Sequence, residues 1–173
     1  IGIVRVFFGE RFDEARAFYS SSGKSKGKRA NWAILQFGAS ASFAKMLEDD
    51  QVWIAELIRK RNAVEHPGGR SGTLKVDNFE FVESETLRPP TWWRDLNPPT
   101  DIYKDIEIFL DNLLTFAEEL LVECVLANTS SKMFQFAEIP EAKRDATCPK
   151  RFIAVPTEAF QRIIDASRTP KTK

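Results

Sequence analysis

The sequence has no excess of either charge, almost no histidine or cysteine, and no long apolar run, and each shortage removes a class of function. Lysine plus arginine and aspartate plus glutamate number 25 each, so the molecule as a whole carries no net field that would gather nucleic acid or an anionic membrane. Any phosphate-binding surface must be a local patch. Cysteine occurs twice, at Cys124 in an apolar stretch and Cys148 in a polar one, which makes neither a disulfide framework nor a metal-ligand cluster. A reduced, cytoplasmic setting with no metal or cofactor is the simplest expectation. No apolar run reaches the roughly 20 residues that span a bilayer, and residues 1–8 lack the charged start and cleavage site of a signal peptide. No membrane partner is expected. A glycine-rich phosphate loop, a dinucleotide fingerprint and a nucleophile elbow are also missing; Gly68-Gly69 lacks the lysine and hydroxyl residue of a P-loop. The acidic residues are scattered rather than paired, so a carboxylate hydrolase has no support.

What is present reads as helix. With 173 residues, 43% of them hydrophobic, the chain can build a real core. Phe12, Ala15, Phe18 and Tyr19 recur at helical spacing over 10–22, and the polar, basic segment 20–28 that follows reads as a loop. Trp32, Leu35, Ala39, Phe43 and Met46 predict one helix over 29–47. Glu48-Asp49-Asp50 suits the start of another, running from Gln51 to His66, where Pro67-Gly68-Gly69 stops it. Residues 73–76 and 80–83 alternate around Asp77-Asn78 and predict a small hairpin. The segment up to Pro99 reads as an irregular excursion; Trp92-Trp93 in it suits either packing or base stacking. The strongest periodicity is Ile102, Ile106, Phe109, Leu110, Leu113, Ala117, Leu120, Leu121 and Cys124, one stripe whose width also suits a dimer interface. Apolar runs at 133–139 and 151–155, a last helix over 157–166 and a disordered 169–173 complete the chain. The expectation is an all-α, antiparallel helical bundle over 1–128, with a hairpin and loop insertion at about 70–99, and a mixed C-terminal extension over 129–173.

The helix ending at His66 carries the chemistry. At 100° per residue from Val52, the side chains of Trp53, Ile54, Leu57, Ile58 and Val64 span about 100° to 240°, and Arg61 falls at about 180°, inside that apolar arc. Lys60 falls on the polar side. Asn62 and His66, four residues apart, lie one above the other at the rim. An inward arginine is costly unless paired, solvated in a cleft or bound to an anion, and its planar fork matches phosphate. The same spacing equally allows an ordinary Arg61–Glu65 ion pair, with His66 simply capping the helix.

The string Arg61-Asn62-Ala63-Val64-Glu65-His66 closing a helix resembles the signature of the HEPN superfamily: arginine, a polar residue, three further residues and histidine. The resemblance covers about 10–128. It implies a metal-independent endoribonuclease, commonly a homodimer with two motifs facing one cleft, often in toxin–antitoxin or other defence systems with an antitoxin or regulatory partner; other members are non-catalytic RNA-binding or interaction scaffolds. On this resemblance Arg61, Asn62 and His66 are the catalytic candidates. His66 would handle protons, Arg61 would stabilise transition-state charge, and Asn62 would orient His66 or the phosphate. Lys24, Lys26, Lys28 and Arg29 are weaker candidates for backbone contacts to RNA. Cleavage by internal 2′-hydroxyl attack benefits from both a base and an acid, and histidine suits both roles near neutral pH. With one histidine per chain, a symmetric dimer would supply the pair. Some toxin members carry, two residues after the histidine, a tyrosine that a partner nucleotidyltransferase modifies; Gly68 stands here, so that route is not expected.

Overall fold

The structure, a computed structural model, describes residues 2–9, 27–83, 86–129, 133–145, 147 and 150–168. The helix expected over 10–22, Lys24, Lys26, Cys148 and the tail 169–173 lie outside the described residues. The chain divides into two compact units, one of Ile1 and Arg11–Phe116, the other of Gly2–Glu10 and Ala117–Lys173.

In the first unit, helices α2 (Lys28–Phe37) and α3 (Ser42–Asp49) pack together; α1 (Gly2–Phe8) belongs to the second. The single helix expected over 29–47 is broken in two. Gly38, at φ +91°, ends α2 with its N–H on the Ile34 carbonyl at 2.9 Å, a backbone conformation open to glycine and costly for other residues. The break lets Trp32, Phe37 and Phe43 meet as a cluster, with ring centroids 5.5 to 6.1 Å apart. Ala30, Ala33, Ala44 and Leu47 are buried, and a leucine buried as fully as Leu47 contributes about 2 kcal/mol.

Helix α4 (Gln51–Glu65) follows, then five short strands: β1 (Leu74–Asp77), β2 (Glu80–Glu83), β3 (Thr86–Arg88), β4 (Thr91–Arg94) and β5 (Thr100–Asp101). These overturn the all-α expectation. The segment read as an irregular excursion contributes β3 and β4, which join the strands of the expected hairpin and β5 in two sheets, ordered β1-β4-β5 and β2-β3, and the protein is mixed α/β. The pairing also differs from the expected hairpin. Leu74, Lys75 and Val76 stand opposite Arg94, Trp93 and Trp92, while β2 folds back on β3. Asp77-Asn78-Phe79 has no glycine for a tight two-residue hairpin turn, and Asn78 accepts its neighbour Phe79's N–H instead. Pairing with the distant Trp92-Trp93 strand closes the sheet.

Helix α5 (Ile102–Asn128) starts on Asp101, whose Oδ1 accepts the Tyr103 and Lys104 N–H groups at 2.9 and 3.2 Å, as an N-cap carboxylate does. Its expected stripe does not all turn inward. Leu120 and Cys124 are buried, as is Phe116 outside the stripe, whereas Ile106, Leu110, Leu113 and Leu121 stay exposed.

The second unit holds α1, the later part of α5, the antiparallel pair β6 (Phe134–Glu138) and β7 (Phe152–Pro156), and α6 (Glu158–Arg168). Its buried apolar side chains are Val4, Leu120 and Cys124. Burial pushes the Cys124 thiol up to about 11, which keeps it unreactive at neutral pH. Phe160 on α6 meets Phe134 edge to face at 5.4 Å. Arg144 ties the connection back by donating to the Ile139 carbonyl and to Glu138, each at 2.9 Å.

Candidate functional site

Helix α4 ends where the sequence stops it. The His66 N–H still reaches the Asn62 carbonyl at 2.8 Å, but His66 itself leaves helical geometry at φ −134°, ψ 68°, as a residue before proline is biased to do. The chain then turns tightly. Gly68 donates to the Gly72 carbonyl (3.2 Å), Gly69 to that of His66 (3.0 Å) and Gly72 to that of Gly69 (2.9 Å). Gly69 and Gly72 form an antiparallel bridge, with Arg70 and Ser71 at its tip. Behind the tip, Arg94 donates to the Ser71 carbonyl at 3.2 Å, and Asp95 accepts the Thr73 N–H at 3.1 Å. A side chain on Gly72 would run into the Asp95 carboxylate, and its φ of +79° is left-handed. Glycine avoids both the contact and the backbone strain there.

Arg61 does not face the core. Its side chain is 58% exposed and grips Glu65 one turn on, Nε to Oε1 at 3.0 Å and Nη2 to Oε2 at 2.7 Å. The inward face of this last stretch belongs to Ala63, 1% exposed, and Lys60, 9% exposed, while Val64 is 61% exposed. The wheel misjudged this face: Val64, inside its apolar arc, is solvent-facing, whereas Lys60 and Ala63, outside it, are buried. Asn62 is half-buried and His66 exposed. Arg61, Asn62 and His66 therefore share the last turn of one helix, with the guanidinium engaged by Glu65 and the imidazole open.

Of the weaker candidates, the described Lys28 and Arg29 lie elsewhere, in the first turn of α2, which takes in Lys28 from the expected loop. Gly27 just before them donates to the Gln51 side chain at 2.5 Å. Gln51 opens α4, which is 15 residues long, so at about 1.5 Å of rise per residue His66 lies about 20 Å further along that axis. The structure does not bring Lys28 and Arg29 to His66.

One constellation was not foreseen. Lys60 Nζ lies 2.5 Å from Asp105 Oδ2, which also accepts the Trp92 indole N–H at 2.5 Å and the Thr100 hydroxyl at 2.7 Å. The ammonium stands 4.4 Å from the centroid of the Trp92 ring, close enough for cation–π attraction. Burial pushes the Asp105 carboxyl up, but the hydrogen bonds from Lys60, Thr100 and Trp92 outweigh it, and the net direction is down. Lys60 is tolerated inside because its charge is paired. This cluster joins α4, β4, β5 and α5. Its one sequence cue was Asp105, an acid in the first turn of an apolar helix.

Charge is unevenly spread on this neutral chain. Residues 59–75 hold Arg59, Lys60, Arg61, Arg70 and Lys75 against Glu65 alone, five positive against one negative or a net +4. The stretch that ends α4 is thus net basic in sequence; Lys60 is buried against Asp105 and Arg61 is paired with Glu65, while Arg70 and Lys75 stand exposed to meet a polyanion. Among the described residues, no three His, Cys, Asp or Glu side chains gather as a metal site, and no helix is long and apolar enough to cross a membrane. No family model, curated protein or solved structure matches the chain.

Proposed function

We propose that this protein is a metal-independent endoribonuclease of the HEPN type, working in the cytoplasm on single-stranded RNA in a site shared by two copies of the chain. The observation that carries this reading is the last turn of α4. The chain's one histidine is exposed at the helix end, one turn after Arg61 and Asn62, in a stretch of net charge +4. In the reaction a ribose 2′-oxygen attacks the adjacent phosphorus as the P–O5′ bond breaks. One His66 removes the 2′-hydroxyl proton, the second copy's His66 protonates the departing 5′-oxygen, and a guanidinium offsets charge on the equatorial oxygens. The products are a 2′,3′-cyclic phosphate and a 5′-hydroxyl. A toxin–antitoxin or other defence setting, with a protein that silences the site, fits such an activity.

The test is incubation of the purified chain with a labelled mixed-sequence RNA in EDTA, beside His66→Ala and Arg61→Ala. Cyclic phosphate ends from the parent, lost in His66→Ala, support the reading. Absence of cleavage, or cleavage by both variants at the parent's rate, ends it. A second reading, a non-catalytic RNA-binding or interaction scaffold of the same type, is favoured by one observation: the Nε and Nη2 edge of the Arg61 guanidinium is held by Glu65. That reading expects RNA binding without cleavage.

A further inference from the structure

Arginines near the end of α4 differ in what they have left to give. Arg61 is occupied by Glu65. Arg94 is 16% exposed and spends its fork on Glu56, Asp95 and the Ser71 carbonyl. Arg70 is exposed and, among the described residues, has no ion pair, hydrogen bond or ring contact. Yet its backbone sits in a tight, hydrogen-bonded turn. It occupies the second position of the turn Gly69-Arg70-Ser71-Gly72, closed by the 2.9 Å bond from Gly72 to Gly69 and the Gly69–Gly72 bridge. Arg94 and Asp95 brace the turn from behind. Its hydrogen bond from Gly69 to the His66 carbonyl ties that turn to the helix end itself. A free guanidinium on a hydrogen-bonded turn that is tied to the His66 helix end is an arrangement for an anion, since binding then costs little backbone ordering.

We propose that Arg70 is a substrate-binding residue of the His66 site and contacts an RNA phosphate there, supplying the free guanidinium that Arg61 does not. This rests on the ribonuclease reading for the identity of the polyanion. The phosphate contact is reached from the second position of the 69–72 turn, four residues beyond His66. Arg70 thereby holds substrate, and the proton transfers stay with His66.

The experiment uses the intact chain and a labelled single-stranded RNA of mixed sequence, with two readouts. In cleavage, Arg70→Ala raises KM about tenfold and leaves kcat within about twofold, because a charge-assisted hydrogen bond to substrate is lost while chemistry is not. Arg70→Lys retains part of the affinity but not the fork. In equilibrium binding, measured in the cleavage-dead His66→Ala background, adding Arg70→Ala weakens binding and flattens the dependence of log K on log salt by about 0.7, the signature of one lost phosphate contact on a single strand. Unchanged melting confirms that each variant folds. Parent-like KM together with an unchanged salt slope overturns the Arg70 assignment and leaves the ribonuclease reading standing. If the parent never cleaves RNA but Arg70→Ala still flattens the salt slope, the catalytic reading falls and the Arg70 contact stands. Neither cleavage nor any effect of Arg70 on binding removes both.

Discussion

The Lys60 ammonium and the Asp105 carboxylate lie 2.5 Å apart with side chains only 11% and 20% exposed, and this contact fastens α4 to α5. Lys60 immediately precedes Arg61, so the pair sets which way the last turn of α4 faces. Replacing Lys60 by Met keeps most of its length but leaves a largely buried carboxylate with only two neutral donors. The expected loss is about 3 kcal/mol, toward the lower end for an opened buried pair because both groups keep some solvent. Denaturant midpoints measure it. A change under about 0.5 kcal/mol would mean that the pair is replaceable by packing.

The same pair predicts an acid limb. Asp105 sits below its ordinary value in the folded chain, so folding is favoured by its ionisation above the unfolded-state pKa of about 3.9. That contribution is complete at neutral pH and is lost as pH falls below about 4 through the folded value. Asp50 acts in the opposite direction, since burial raises its carboxyl despite the bond from Trp53. Thermal melts from pH 6 to pH 3 should therefore fall less steeply for Asp105→Asn than for the parent. Identical slopes would remove Asp105 as a source of the acid response.

Glu65→Gln isolates the clamp on Arg61. An exposed pair of this spacing is worth only about 0.3 to 0.5 kcal/mol to the helix, so the melting temperature should hardly move. Freed of a carboxylate, Arg61 becomes available to phosphate, and the local charge becomes more positive by one. RNA binding should tighten about threefold or more at low salt. Weaker binding would show instead that Glu65 itself positions the site.

Gly72→Ala attacks the turn from beneath. The new methyl meets the Asp95 carboxylate at a positive φ, so at least about 1 kcal/mol of stability should go. If Asp95 is displaced, the brace on Thr73 goes with it, and RNA affinity should fall even at temperatures where the chain is fully folded. Far-ultraviolet circular dichroism and anisotropy titrations follow the two effects. A variant as stable as the parent would contradict the close approach.

What the sequence made legible was local. Pro67 and Gly68 mark the end of α4 because they limit the backbone directly, and His66 falls at that end for the same reason. The strands around 74–77 and 80–83 were legible as segments, but β1 pairs with β4 across a separation set by tertiary closure. Periodicity carries no information about such a partner. The direction of Arg61 was misread because a helical wheel weights every apolar residue inward, whereas Val64, within the arc, faces solvent. Lys60 was hidden for the converse reason. A charged residue enters a core only when a partner 45 positions away is waiting, and composition does not reveal partners. The Gly69–Gly72 turn left a cue in its glycines; the freedom of Arg70 left none.

The placement of Trp92 gives the protein an optical gauge. Its indole N–H is held by Asp105, and the Lys60 charge lies 4.4 Å from its ring centroid, so the chromophore sits in a strong, oriented field. Withdrawal of that charge should shift its emission and its near-ultraviolet circular dichroism. With Trp32, Trp53 and Trp93 replaced by phenylalanine, the remaining indole would report, in real time and without an attached dye, whether the seam beneath the His66 helix end opens before the rest of the molecule or together with it.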